Sequence, residues 1–192
     1  GFDHTLPAAQ TGNLLLLMVD ITRLNVQGIA IKMTTLLSFI AGLVVSRCAY
    51  HYYRSIYWRI YILVGLSAAC LFTFLAFDHL PSGLAIAPLS FTLAMTTGAF
   101  NKVENELYNN SFTTGNIKKA IIAWCEFLFK GQAEQKERAV IFTCLVLSFV
   151  IGAFTAALFY FLFGMAALLV ILCEIIIFTV CYFLLIRFSQ KS

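Results

Sequence analysis

Hydrophobic residues in this chain come in long unbroken runs rather than in the alternating or one-sided patterns of soluble strands and helices. Crossing a hydrocarbon core of ~30 Å takes about 20 helical residues, and five runs approach that length. Met33–Tyr50 carries one charge, Arg47, near its end, and Ile60–Phe77 carries none. Leu84–Phe100 is also charge-free and holds Pro88, which membrane helices tolerate near their starts. The charge-free run Ala139–Cys173 is 35 residues, too long for one crossing. A turn is predicted at Gly164, giving spans over Ala139–Phe161 and Met165–Ile186. Two weaker helices are predicted besides. Asn13–Val26 has a short leucine run before Asp20 and Arg23. Ile117–Lys130 is amphipathic, with Ile117, Ile121, Cys125 and Leu128 on one face and Lys119, Glu126 and Lys130 on another.

Both weak helices are introduced by the same tripeptide, Thr11-Gly12-Asn13 and Thr114-Gly115-Asn116. Each is followed by a span with a second shared pattern. Ser38-Phe39-Ile40-Ala41-Gly42 matches Ser148-Phe149-Val150-Ile151-Gly152, and the rows Ser38/Gly42/Ser46 and Ser148/Gly152/Ala156 place a small residue at every fourth position. Such rows let membrane helices approach closely, so these six residues are expected to pack helices and are assigned no chemistry. Two motifs in one order make an internal repeat, with a first copy over residues 1–77 and a second over 78–192. The second copy has a full span ahead of its tripeptide and the first has only ten residues there, so one further span is expected upstream of Gly1.

Composition agrees with a membrane bundle: 61% of residues are hydrophobic and 11% charged, where a soluble domain carries about a quarter charged. The net charge of +4 matters less than its placement. If the weak helices do not cross, Arg47, Arg54, Arg59, Lys102, Lys118, Lys119, Lys130, Lys136, Arg138, Arg187 and Lys191 all lie on one side, and only Arg23 and Lys32 lie on the other. Basic residues gather on the cytoplasmic side, which makes the C-terminus cytoplasmic in a multi-pass protein of the cell (plasma) membrane. Each complete copy then has three spans plus one short helix, and the odd number inverts the second copy. The predicted fold is an all-α polytopic transmembrane bundle built as an inverted repeat, with the first span missing from this chain. Tyr50, Tyr52, Tyr53, Tyr57, Trp58 and Tyr61, interleaved with arginine between two spans, belong at the headgroup level and argue against nucleic acid as a partner.

The six cysteines show no CxxC spacing, and no disulfide is expected. His4, His51 and His79 are scattered, and no HExxH, nucleophile elbow, P-loop or dinucleotide fingerprint occurs. No metal, cofactor or enzymatic activity is therefore expected.

The paired motifs, the first within Ala8-Ala9-Gln10-Thr11-Gly12-Asn13 and the second preceded by Gly98-Ala99-Phe100-Asn101, resemble those of the YoaK family of bacterial membrane proteins. That family often has glutamine where this chain has Phe100. The resemblance covers nearly the whole chain and implies a membrane bundle with one more N-terminal helix, in a family with no assigned function.

Two readings of the tripeptides stay open. Short polar side chains before a helix cap its free N–H groups. Alternatively, Thr11, Gly12, Asn13, Thr114, Gly115 and Asn116 line a substrate site, where two helix N-termini offer amides and a dipole to a polar or anionic solute. Glu174, the carboxylate deep in a charge-free span, is a further candidate for that site. Lys118 and Lys119 either anchor their helix to headgroups or attract an anion. The functions in view are a small-solute permease or channel-like transporter, and a membrane interaction or assembly protein. The bilayer is the expected partner, a small polar or anionic solute the expected ligand, and homo-oligomerisation is left open.

Overall fold

The computed structural model describes residues 5–52, 55–103, 106–108 and 113–190. Tyr53, Arg54, His4 and Lys191, named above, lie outside the described residues. Packing divides the chain into a first unit, Gly1–Ala99 with Phe163–Ser192, and a second, Phe100–Leu162.

The first unit holds α1 (Gln10–Thr22), α2 (Val26–Tyr52), α3 (Trp58–Ala76), α4 (Ser82–Ala99) and α7 (Ala167–Ser189). In α1 the buried residues are Gln10, Asn13, Leu17 and Asp20, while Leu14, Leu15, Met18 and Val19 are exposed. A soluble helix does the reverse. The same inversion holds along the spans, where Thr35, Ser46, Thr73, Ser90 and Thr96 are buried and Leu37, Phe72 and Leu185 are exposed. Polar groups turn inward and large apolar side chains outward because lipid, not water, is the solvent.

Inside this unit the buried hydroxyls find carbonyls on neighbouring helices. Ser46 donates to the Met95 carbonyl at 3.1 Å, and Thr73 donates to the Ala85 carbonyl at 3.0 Å. The one proton of Ser90 is shared between Pro7, at 2.8 Å, and Thr35, at 3.0 Å. Gly42 permits the close approach of α2 to α4: a Cβ there would collide with the Phe91 carbonyl and lie 2.8 Å from the Ala94 methyl. Gly98 does the same opposite Ser46. A second contact is sealed by Leu66 and Cys70 of α3 and Leu89 of α4, packed with Leu168, Leu172 and Ile175 of α7.

The second unit holds a short antiparallel hairpin, β1 (Lys102–Val103) with β2 (Glu106–Leu107), then α5 (Thr113–Lys130) and α6 (Ala133–Phe163), whose last residue is counted in the first unit. Arg138 Nε pairs with Glu106 Oε1 at 2.7 Å, and the Trp124 indole donates to Thr143 Oγ1 at 3.0 Å. The hairpin was not foreseen, since its polar sequence has no strand periodicity.

Among the described residues, four stretches are long and apolar enough to cross a membrane: Val26–Tyr52, Trp58–Ala76, Ser82–Ala99 and Ala133–Ser189. The last comprises α6 and α7, separated by a single 3₁₀ turn, Gly164–Ala166. Gly164 stands at φ +57, a left-handed conformation that only glycine adopts freely, and the helix breaks where the sequence predicts. The fold is an all-α polytopic membrane bundle. Helices α2 and α6 begin at Val26 and Ala133, seven and six residues before the starts read from hydropathy. The first turns of α6 are polar, and Gln27 and Lys32 interrupt those of α2, so the apolar run starts later than the helix in both.

Candidate functional site

A polar cluster beside a cavity forms at the elbow joining α1 to α2. Helix α1 ends at Thr22, and its last carbonyls are closed by two bonds from the chain beyond. Asn25 N–H donates to the Asp20 carbonyl at 2.9 Å and Leu24 N–H to the Ile21 carbonyl at 3.1 Å. This is a Schellman arrangement, whose central residue must be left-handed. Here that residue is leucine, at φ 55, rather than glycine.

The elbow carries Asp20 onto Lys32, whose Nζ lies 2.5 Å from Asp20 Oδ2 with both side chains largely buried. The other carboxylate oxygen accepts the Asn25 amide at 3.0 Å, and the Asn25 side-chain oxygen accepts the Gly28 N–H at 3.2 Å. Gly28 must lack a side chain, because a Cβ would fall 2.5 Å from both Asp20 Oδ2 and Asn25 Nδ2. Hydrogen bonding to Lys32 holds the Asp20 carboxyl below the usual carboxylate range, against the opposing effect of desolvation. Asn25 and the charges of Lys32 and Arg23 act in the same direction as that bond. Beside the pair opens a cavity of about 340 Å³ lined by Asp20, Arg23, Asn25, Gln27, Lys32 and the backbone of Gly28, with Leu16, Val19 and Ile31 as its apolar wall.

The tripeptides are placed differently from the capping expectation. Both helices begin three residues before their asparagine, at Gln10 and Thr113, so each Thr-Gly-Asn lies inside the first turn rather than ahead of it. Ala9 precedes α1 and makes no side-chain cap. Asn13 instead clamps the incoming chain: its Oδ1 accepts Leu6 N–H at 2.9 Å and its Nδ2 donates to the Leu6 carbonyl at 2.7 Å. The Gln10 side chain accepts a third bond at 3.2 Å. Thr11 is exposed and Gly12 half-buried. In the second unit Asn116 is buried, while Thr114, Gly115 and Lys118 are exposed. Lys119 donates to the Leu107 carbonyl and lies 4.9 Å over the Phe142 ring. Glu174 is on the exposed face of α7.

Of the small-residue rows, Gly42 and Ser46 are buried against α4 with Ser38 partly so, whereas Ser148 and Gly152 are exposed and Ala156 half-buried. A Cβ on Gly152 would meet nothing within 4 Å, among the described residues.

The sequence shows Asp20 and Lys32 as separate charges, one interrupting a leucine run and one preceding a span. The signal that could have joined them is their place in the repeat. Asp20 follows Asn13 by seven residues and Lys32 precedes Ser38 by six. The same spacings from Asn116 and Ser148 give Ala123 and Phe142, which are also buried. At these matched spacings from the two motifs, charge stands after the first and hydrocarbon after the second.

No curated protein and no solved structure matches the chain. The model of one protein family does, described as a protein of unknown function, DUF1275, and the resemblance to the YoaK family is consistent with it. With the match extending over residues 1–181, the chain belongs to the DUF1275 family.

Proposed function

We propose that the protein is a small-solute permease or channel-like transporter of the cell membrane, with its C-terminus in the cytoplasm and its solute site built on α1. The observation that carries this reading is the Asp20–Lys32 pair, buried at a cavity of about 340 Å³ in a chain whose spans are otherwise almost free of charge. Ionisable side chains inside membrane segments are costly and mark solute and ion paths by default. Helix α1 has 13 residues, about 20 Å, too short for a core of ~30 Å. It turns Gln10, Asn13 and Asp20 inward along one face, with Leu17 between the last two. The first Thr-Gly-Asn heads this helix.

A thermal-stability screen of the purified protein against metabolite pools tests the reading, followed by uptake of any hit into proteoliposomes. Saturable uptake that is lost in Lys32→Met supports it. Hits without uptake, or uptake unchanged by that substitution, overturn it.

A second reading has its own support. The exposed row of Ser148 and Gly152 on α6 is the kind of surface on which membrane helices associate. On this reading the protein assembles with itself or with other membrane helices and transports nothing. Gly152→Leu then changes the oligomeric state in detergent and leaves no uptake to measure.

A further inference from the structure

We propose that the cavity at the α1–α2 elbow is an oxyanion site, in which Arg23 and Lys32 bind a carboxylate or phosphate group. The inference rests on the transport reading for its biological role and names the ligand class of that same site.

Charge balance is the first argument. The lining holds two cations, Arg23 and Lys32, against one carboxylate, Asp20. Asp20 is committed to Lys32 and Asn25. Arg23 is exposed and has no ion pair among the described residues. An incoming oxyanion neutralises the excess charge, and a guanidinium offers it a two-pronged donor. The exposed amide of Gln27 stands on the same rim.

Packing does not require these charges. At the matching spacings of the second copy Ala123 is 4% exposed and Phe142 1% exposed, so both positions are buried there as hydrocarbon. A buried ion pair replaced by hydrocarbon of similar volume is often neutral or stabilising. What the charged pair offers and the apolar pair cannot is a cation that can be shared with a ligand.

The third argument is topological. On the charge reading, Arg23 and Lys32 are the two basic residues on the side opposite the other eleven. Both line this one cavity. Cations retained against the membrane's charge bias, and gathered at one place with amide donors, fit a site for an anion arriving from that side.

The group can come from a free solute or from a lipid headgroup.

The test uses the full chain, delipidated in a neutral detergent, with thermal unfolding followed at matched ionic strength in sodium chloride, acetate, inorganic phosphate or a short-chain phosphatidylglycerol. Acetate or phosphate should raise the unfolding temperature saturably where chloride does not. Arg23→Gln should raise the half-saturating concentration about tenfold or more, the loss of one charge-assisted contact. Asp20→Asn should lower it by releasing Lys32. The double variant Asp20→Ala/Lys32→Phe carries the second copy's residues, so it should fold and show no saturable shift. Saturation by the phospholipid alone supports the site and identifies a headgroup as the source. No saturable shift with any oxyanion, or one unchanged in both Arg23→Gln and the double variant, overturns it. A saturable shift with no uptake in proteoliposomes defeats the transport reading and leaves the oxyanion site standing. Uptake with no oxyanion shift does the opposite.

Discussion

Lys32 Nζ lies 2.5 Å from Asp20 Oδ2, and the glycine at position 28 is what lets the two helices come close enough for that contact. Removing one member of a buried pair leaves the other charged without a partner, which costs more than removing both. Lys32→Phe and Asp20→Ala should therefore each lower the unfolding temperature clearly. The double variant Asp20→Ala/Lys32→Phe should be more stable than either single change. A double-mutant cycle by thermal unfolding in detergent checks this, and additive losses would show the pair to be uncoupled.

The same contact gives a pH dependence. Bonding to Lys32 depresses the folded-state pKa of Asp20 below its ordinary value of 3.8. A depressed carboxylate contributes stability that is fully present above the unfolded-state value and lost as pH falls through the folded one. The stability difference between the protein and Asp20→Asn should stay constant from neutral pH down to about 4 and shrink below it. A difference that begins to close at pH 6 would point to another titrating group.

The small-residue rows make opposite predictions although the sequence writes them alike. Gly42 faces the Phe91 carbonyl, and Gly152 faces nothing within 4 Å among the described residues. Gly42→Leu should cost at least the ~1–3 kcal/mol typical of overpacking, because backbone cannot move aside as a side chain can. Gly152→Leu should fall within about 0.5 kcal/mol of the parent protein if α6 has no partner helix. Thermal unfolding with size-exclusion chromatography separates the two cases.

These rows mark the border of what was legible. Spans, the break at Gly164 and the packing role of Gly42 and Ser46 follow from run length, backbone freedom and side-chain size, all local properties. Which of two similar rows is buried depends on where a partner helix lies, and no local pattern carries that. The elbow pair was missed for a related reason. Asp20 and Lys32 become neighbours only because Leu24 takes a left-handed conformation that leucine rarely adopts. With glycine there a helix stop would have been read, and with it the elbow.

Asn13 is tied to both backbone groups of Leu6. Asn13→Ala should leave that N–H and carbonyl unpaired at a cost of ~1–3 kcal/mol, toward the lower end because Leu6 is itself exposed. Thr11→Ala, at an exposed position of the same tripeptide, should change stability by less than about 0.5 kcal/mol. If both variants lose equal stability by thermal unfolding, the clamp is not what the asparagine provides.

Topology is the last expectation, and it rests on charge. Arg47 and Arg59 flank the α2–α3 connection, whereas residues 78–83, between α3 and α4, hold no lysine or arginine. Helix α3 carries one of the four span-length apolar stretches, so its two ends belong on opposite sides. Basic residues select the cytoplasmic side, which places Ser55 inside and Ser82 outside. Gln132, between α5 and α6 and close to Lys130, Lys136 and Arg138, belongs with Ser55 if α5 does not cross. Single cysteines at these three positions, in a background whose exposed native cysteines are replaced, should react with a membrane-impermeant maleimide accordingly. Ser82→Cys should label in intact cells, and Ser55→Cys and Gln132→Cys only after permeabilisation. Labelling of Gln132→Cys in intact cells would mean that α5 crosses. The second copy would then have an even number of crossings, Lys136 and Arg138 would lie outside, and Arg23 and Lys32 would no longer be exceptions to the charge rule.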